Sequence, residues 1–372
     1  MARSKLTRRP TAQWVRRTDT IDPSPVTRRG HYDEVLKKDV ARMWKSAVRL
    51  TNWENVSHLV ILDDGGYGIA GLPSSIREGL SIVGIEQTMS GLAQGRNGNS
   101  NTIPVIEVAS SAAKKSLEPP MICEATFTKL TIPLFERNPN AVFGVVGLGN
   151  IGRAIATGLL QRKARVLGYD KDPVQMKSVK GIVACASIQE VFKRSDVILG
   201  CTGTDTIGDE GWWKSLTGCK LLISCSSQDR EFSSMLTTLD GASDQNALRD
   251  IVFSTANGEI TVVRGGFPAN FDGSGESVQK DDIQMTRALL LSAVLQAIYA
   301  GKRGHGGTML EPEFQRFIVS HWIELQSHRL HWFESGLIDK FKDLEWIEQN
   351  SGGKLSRESF AAATANGSSG GL

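Results

Sequence analysis

Short apolar runs alternate with longer stretches of mixed polarity through the middle of the chain. Each run has the length of a β-strand, and each stretch between two runs has the length of a helix. Such alternation builds a parallel sheet whose faces are covered by helices. The predicted strands lie near residues 142–147, 165–169, 182–185, 196–200, 220–225 and 251–255.

The pattern before this alternating part predicts a second, smaller α/β unit. Residues 31–57 carry apolar side chains at helical spacing, and the run HLVIL at 58–62 predicts a strand that ends in a sharp turn. The run IPVIEV at 103–108 predicts another strand, and residues 121–137 predict a helix.

The length of the chain, 372 residues, predicts more than one domain. A long helix is predicted from about residue 281 to 300, and one or two amphipathic helices within 311–347. We therefore predict an α/β fold with a doubly wound parallel sheet and a second, smaller α/β domain made from both chain ends. The predicted divisions are a disordered basic arm (1–30), the first part of a shortened substrate-type domain (31–140), a dinucleotide-binding domain (141–280), a helical return or interface segment (281–350) and a flexible tail (351–372).

Composition narrows the function classes. The net charge of +3 makes a nucleic-acid partner an unfavoured hypothesis, and no apolar run is long enough to span a bilayer. Five cysteines without metal-ligand spacing predict a reducing, cytoplasmic location and no metal site. Arginines concentrate in residues 1–30, where a disordered arm is favoured and an anionic partner such as RNA or lipid stays open.

A glycine-rich stretch follows the first strand of the alternating part. Gly147, Gly149 and Gly152 form the pattern G-x-G-x-x-G at the predicted start of a helix. The three glycines permit a tight turn, a close backbone approach to a pyrophosphate and close packing of helix on strand. Asn150 and Ile151 would then offer backbone N–H groups to the phosphates. This context predicts a dinucleotide site.

Asp170 ends the next predicted strand, at the distance expected for the residue that binds the adenosine ribose. A carboxylate there accepts hydrogen bonds from both ribose hydroxyls of NAD and repels the extra phosphate of NADP. We therefore predict NAD as the cofactor. Lys171, directly after Asp170, is the residue that argues for NADP.

The stretch VLGYDKDP and the glycine-rich turn resemble the D-2-hydroxyacid dehydrogenases. Those enzymes bind and protonate a keto acid with an arginine and a histidine. The arginine would follow the strand KLLISC, where this chain has Ser226-Ser227-Gln228-Asp229, and the histidine would follow IVFST, where it has Ala256-Asn257-Gly258. This resemblance is therefore the less favoured of two.

Five short segments are similar, in order and approximate spacing, to the S-adenosylhomocysteine hydrolase family over residues 58–300. They are LDDGG at 62–66, GIEQTMSG at 84–91, IPVIEVASSAAKK at 103–115, CTGT at 201–204 and Gly266-Phe267-Pro268. The resemblance implies tightly held NAD, oxidation of the 3′-hydroxyl of a nucleoside or S-adenosylhomocysteine-like substrate, and a homo-oligomer.

The same resemblance implies the site residues. Asp64, Lys114 and Glu118 would serve acid-base chemistry, although Asp64 also suits a simple turn and Lys114 a solvated pair with Lys115. The cofactor residues it adds to the glycine-rich turn and Asp170 are Thr88, Ser90, Thr202 and Gly203.

At other positions the chain differs from the hydrolase family. Gln87 stands where the family has an acid, and two family histidines are missing. The losses fall on the substrate side. A non-catalytic NAD-binding or scaffold protein is therefore the alternative, and a hydroxyacid dehydrogenase-like oxidoreductase is the less favoured one.

Overall fold

The computed structural model describes residues 32–76, 79–97, 103–131, 138–208, 211–226, 229–238, 249–270, 278–303, 309–326, 333 and 336–352. The predicted arm of residues 1–30 and most of the predicted tail lie outside these residues, so both stay predictions, as do the predicted domain boundaries. The described chain forms one sheet of three strands and one of seven, each packed with helices. This confirms the predicted fold class, a Rossmann-type sheet with a second, smaller α/β unit.

The first sheet is parallel, in the order β1 (His58–Asp63), β2 (Ser81–Glu86) and β3 (Val105–Glu107). β2 was not among the predicted strands. Its residues after Ser81 are all buried, so the run shows no alternation of apolar and polar positions. The helices of this part are α1 (Tyr32–Leu50), α2 (Tyr67–Ala70) and α3 (Met89–Asn97).

The helix that joins the two sheets, α4 (Ala112–Thr126), begins well before the predicted start at residue 121. The side-chain oxygen of Ser111 caps it by accepting a hydrogen bond from the backbone N–H of Lys114. Pro119 and Pro120 lie inside the helix, and the prediction began after them because proline removes a backbone donor. Burial of Leu117 and Met121 against the first sheet offsets this loss.

The second sheet has the order β6-β5-β4-β7-β8-β10-β9 and is parallel except for the β9–β10 pair. Six of its strands were predicted. β10 was not predicted because it begins with the turn-like residues Asn-Gly-Glu. Gly258 is needed there, because a Cβ at this position would lie 2.1 Å from the carbonyl oxygen of Gly218. The strands are β4 (Val142–Val146), β5 (Arg165–Tyr169), β6 (Val183–Ala184), β7 (Val197–Gly200), β8 (Thr217–Ser224), β9 (Ile251–Thr255) and β10 (Asn257–Val262).

Helices cover this sheet and then return to the first one. Those of the second sheet are α5 (Asn150–Gln161), α6 (Pro173–Ser178), α7 (Ile188–Arg194) and α8 (Ser233–Leu236). The returning helices are α9 (Gln284–Arg303), α10 (Pro312–Leu325), α11 (Leu337–Lys340) and α12 (Leu344–Asn350).

The returning helices complete the core of the first sheet. α9 packs on β1 and β2, and its residues Met285 and Leu289 are fully buried in one cluster with Ile85 and Leu117. In the part of the chain that the structure describes, no helix has both the length and the hydropathy needed to cross a membrane.

Candidate functional site

The glycine-rich turn connects β4 to α5 at the carboxyl edge of the second sheet. Gly147 has a φ of 87°, a conformation that side chains disfavour. A Cβ on Gly152 would lie 1.8 Å from the carbonyl oxygen of Gly147, so this glycine lets the helix pack on the turn. A Cβ on Gly149 would meet nothing within 4 Å, so the backbone there faces open space. That space lies directly before Asn150, the first residue of α5. The free N–H groups at the start of a helix bind phosphates favourably.

Asp170 follows β5 directly and is held against this turn. Its Oδ2 accepts a hydrogen bond of 2.6 Å from the N–H of Leu148, and its Oδ1 accepts one of 2.8 Å from the N–H of Asp172. The carboxylate therefore sits beside the turn on the neighbouring strand, where an adenosine ribose would lie.

Thr202 and Gly203 follow β7 and are fixed by a glutamate that the sequence analysis missed. Glu231 accepts 2.9 Å and 2.6 Å hydrogen bonds from the Thr202 hydroxyl and the Gly203 N–H. Its side chain is fully buried, and that burial raises its pKa to about 7. The side chain lies over Gly200, whose missing Cβ leaves it room. No local pattern marks Glu231, because its partners are distant in sequence.

The first sheet places Asp64 and Gln87 together at its own carboxyl edge. The amide nitrogen Nε2 of Gln87 donates a 2.7 Å hydrogen bond to Oδ2 of Asp64. The neighbouring Asp63 is buried and accepts hydrogen bonds from the N–H groups of Asp64 and Ile69, so it fixes the turn into α2. Asp64 is thus the carboxylate that this turn leaves exposed.

Thr88 and Ser90, two predicted cofactor residues, hydrogen bond within their own turn. The Thr88 hydroxyl donates to Oε1 of Glu86 at 2.6 Å, and it accepts from the N–H of Gly65 and from the Ser90 hydroxyl. Oε1 of Glu86 also accepts from the N–H groups of Gly65 and Thr88. Burial raises the pKa of Glu86 to about 7. The visible role of the two hydroxyls is to fix this loop.

Lys114 and Glu118 form an ion pair one turn apart on α4. The distance from Nζ to Oε1 is 2.5 Å, and the hydroxyl of Thr286 on α9 donates to the same oxygen at 3.0 Å. The side chains are only 12% and 17% exposed, so Lys114 does not form the solvated pair with Lys115 that the sequence also allowed. The two predicted residues are therefore brought together in a mostly buried position.

A small network joins the loop after β8 to helices α1 and α2 of the first unit. Nη2 of Arg230, which follows β8, lies 2.7 Å from Oδ2 of Asp33 on α1. Nη2 of Arg230 also donates to the hydroxyl of Tyr67 at 3.2 Å, and that hydroxyl donates to Oδ1 of Asp33 at 2.7 Å. The first arginine after β8 is therefore engaged in a contact between the two sheets.

Neither histidine of the described residues lies at a carboxyl edge of a strand. His58 begins β1 at the opposite end, and His321 is an exposed residue of α10 whose Nδ1 lies 2.8 Å from the carbonyl oxygen of Phe317. Two of the positions at which a dehydrogenase arginine was sought, 227 and 228, lie outside the described residues.

One known protein family has a model that matches the first part of the second sheet. Residues 129–206 match the family model described as the NAD-binding domain of D-isomer specific 2-hydroxyacid dehydrogenases. Uncharacterized proteins of Mycobacterium tuberculosis strains CDC 1551 and H37Rv are each 31% identical to the chain over 277 residues. Those residues are 72% of this chain and 51% of each relative, so the chain spans about half the length of the curated relatives it matches.

Solved structures similar to the chain include D-lactate dehydrogenase from Aquifex aeolicus with NAD and lactic acid, at 18% identity and a TM-score of 0.35. That match covers 68% of this chain and 89% of the other. D-lactate dehydrogenase from Treponema pallidum is 17% identical with a TM-score of 0.33, covering 55% and 72%. Such scores carry no argument about function.

The match to the family model overturns the adenosylhomocysteinase resemblance and the hydrolase activity it implied. The segments that carried the resemblance are mostly turns after parallel strands, and any dinucleotide-binding sheet needs such turns at its carboxyl edge. Residues 129–206 match an NAD-binding domain, which confirms the predicted cofactor and supports the hydroxyacid dehydrogenase-like oxidoreductase over the hydrolase.

Proposed function

We propose that the chain is an NAD-dependent oxidoreductase of the 2-hydroxyacid dehydrogenase type. It would transfer a hydride between NAD and a small hydroxy or keto compound held between the carboxyl edges of the two sheets. The observation that carries the proposal is the open Gly149 turn with Asp170 fixed beside it. We also propose a cytoplasmic location, because free thiols such as Cys219 suit a reducing compartment. A homo-oligomer belongs to the same proposal.

The cofactor would be held by the turn and by the loop after β7. Its pyrophosphate would lie over Gly147 and Gly149, against the N–H groups of Asn150 and Ile151 at the start of α5. Asp170 would bind the adenosine ribose. The residues that would lie toward the nicotinamide are Thr202 and Gly203, while Thr88 and Ser90 would act indirectly by fixing the loop at the first sheet.

Hydride transfer to a carbonyl also needs a proton donor for the oxygen. We assign this role to Lys114, which lies in the first turn of α4, directly after the carboxyl end of β3. Glu118 and Thr286 would orient the ammonium group by their hydrogen bonds. Asp64, held by Gln87 at the first edge, would bind a polar group of the substrate or exchange a proton with it.

A non-catalytic NAD-binding module is the second candidate. The observation that favours it is the engagement of Arg230 with Asp33 and Tyr67, which occupies the guanidinium group that follows β8. A dehydrogenase of this type needs a cation to hold the substrate carboxylate, and an arginine paired with a carboxylate serves that purpose poorly.

Calorimetry and absorbance separate the two candidates. The purified protein should bind NAD⁺, and Asp170→Asn should weaken binding about tenfold by changing the ribose acceptor. Asp172→Asn is the matched control, because Asp172 caps α6 and asparagine caps equally well. Failure of the unchanged protein to bind NAD⁺ would refute both candidates.

Turnover is then measured as loss of NADH absorbance with a panel of 2-keto acids. The oxidoreductase predicts turnover that Lys114→Gln abolishes without changing NAD⁺ affinity. NAD⁺ binding without turnover on any keto acid would favour the non-catalytic module.

A further inference from the structure

A groove runs between α4 and α5 and reaches Asn150, at the edge of the proposed cofactor site, with its third wall from the C-terminal helical segment. Its volume is about 350 Å³, which is within the range of small-molecule sites. Phe333 and Leu337 supply an apolar wall, while polar and charged side chains of α4 and α5 line the rest.

The charges along the groove do not balance. Three cations line it, Lys115, Arg153 and Arg162, against one carboxylate among the described residues, Glu124. Arg162 is already satisfied, because its Nη2 lies 2.9 Å from Oε2 of Glu124 and its guanidinium stacks over Phe127 at 4.6 Å. The excess positive charge therefore belongs to the other two cations.

Both excess cations lie on the same side of the Arg162–Glu124 pair. Cys123 contacts Ala154, and Phe127, directly after α4, contacts Arg162 two turns further along, so α4 and α5 run in the same direction along the groove. Lys115 lies two turns before Cys123 on α4, and Arg153 directly precedes Ala154 on α5, so both cations lie before the Arg162–Glu124 pair along the groove.

Lys115 has no ion-pair or hydrogen-bond partner for its ammonium group among the described residues. It is half-buried, and that burial lowers its pKa, which means that its charge is desolvated without compensation. Arg153 donates to Oδ1 of Asn150 at 3.2 Å, which leaves most of its guanidinium donors free. A cation held in this way gains free energy when an anion binds.

We infer that this groove binds a small organic anion with at least two negative charges, such as a phosphate ester or a polycarboxylate. Its charged groups would contact Lys115 and Arg153, and its apolar part would lie against Phe333 and Leu337. The groove is lined by α4, by α5 and by residues near the C-terminal end. Its ligand would therefore bridge the helix after the first sheet and the helix of the second.

Calorimetric titration tests the inference with two probes, inorganic pyrophosphate for phosphate esters and citrate for polycarboxylates. Each titration is run with and without saturating NAD⁺, because pyrophosphate could also occupy the glycine-rich turn. Binding in the presence of NAD⁺ is expected to weaken about tenfold in Lys115→Gln and in Arg153→Gln, since each substitution removes one charge-assisted contact.

Two further variants keep the test independent of folding defects. Glu124→Gln removes the carboxylate of the groove, so it should tighten the binding of both probes, and Lys115→Arg should retain it. Lys45→Gln, an exposed position of α1, is the control that should change nothing. Absence of binding to either probe with NAD⁺ present, or equal binding by all variants, would overturn the inference. Neither outcome depends on catalysis at the site proposed between the carboxyl edges of the two sheets.

Discussion

Each of the two sheets ends at a loop that is fixed by a buried glutamate, Glu86 in the first sheet and Glu231 in the second. Both side chains accept hydrogen bonds from a threonine hydroxyl and a glycine N–H, and burial raises the pKa of both to about 7. The same local device therefore holds the carboxyl edge of a small sheet and of a large one.

The surroundings of the two glutamates differ. At the first edge, a Cβ on Gly91 would lie 2.2 Å from the carboxyl carbon of Glu86, so the loop is closed tightly on its anchor. At the second edge, the glycine-rich turn next to the Thr202 loop keeps open space at Gly149. The first edge is built to hold a loop in place and present Asp64, and the second is built to admit a ligand.

The largest expected loss of stability comes from a substitution that disrupts the carboxyl edge of the second sheet alone. In Gly152→Ala the new methyl group would lie 1.8 Å from a backbone oxygen, so the turn or the helix must move. We expect the free energy of unfolding to fall by about 3 kcal/mol or more, together with loss of NAD⁺ binding. Urea unfolding and calorimetry measure the two effects.

Gly149→Ala is the matched control for that experiment. Its methyl group meets no protein atom within 4 Å, so stability should be unchanged while NAD⁺ binding is lost, because the methyl group would enter the pyrophosphate space. Full NAD⁺ affinity in Gly149→Ala would mean that the open space at this turn is not the cofactor site.

The two raised pKa values give the next effect. A carboxyl group whose pKa is about 7 in the folded protein and near 4.5 when unfolded binds its proton more tightly in the folded state. Stability should therefore fall as pH rises from about 4.5 to about 7, by on the order of 3 kcal/mol for each fully buried group. Below about pH 4.5 both states are protonated and the effect disappears.

Glutamine substitutions sharpen the comparison, because glutamine stays neutral. Glu86→Gln keeps an oxygen where all donors reach Oε1 but puts the amide nitrogen at the buried position of Oε2, which has no partner among the described residues, so we expect a cost of about 1–3 kcal/mol. In Glu231→Gln an amide nitrogen would replace Oε2, to which the Thr202 hydroxyl donates. The hydroxyl would then have to rotate so that it accepts a hydrogen bond instead. Urea unfolding between pH 5 and 8 should show a weaker pH dependence in both variants. An unchanged slope in Glu86→Gln would mean that Glu86 is ionised throughout.

Patterns that depend on near neighbours could be predicted from the sequence. Six of the seven strands of the second sheet, the glycine-rich turn and Asp170 follow from apolar runs and from fixed spacings. The contacts of Glu231 and Arg230, and that of Glu86 with Gly65, could not, because each joins residues that are distant in the sequence. The family resemblance was wrong for a related reason, since it relied on short turns that many parallel sheets share.

The smallest predicted effect concerns the contact that joins the two edges. The Arg230–Asp33 pair is partly exposed, so its net contribution should be about 1 kcal/mol or less. Arg230→Gln and Asp33→Asn should each lower stability by a similar amount, and the double variant should lose less than their sum. A coupling near about 0.5 kcal/mol in urea unfolding would mean that the pair stabilises the contact between the two edges, whereas strict additivity would mean that the pair contributes no net free energy.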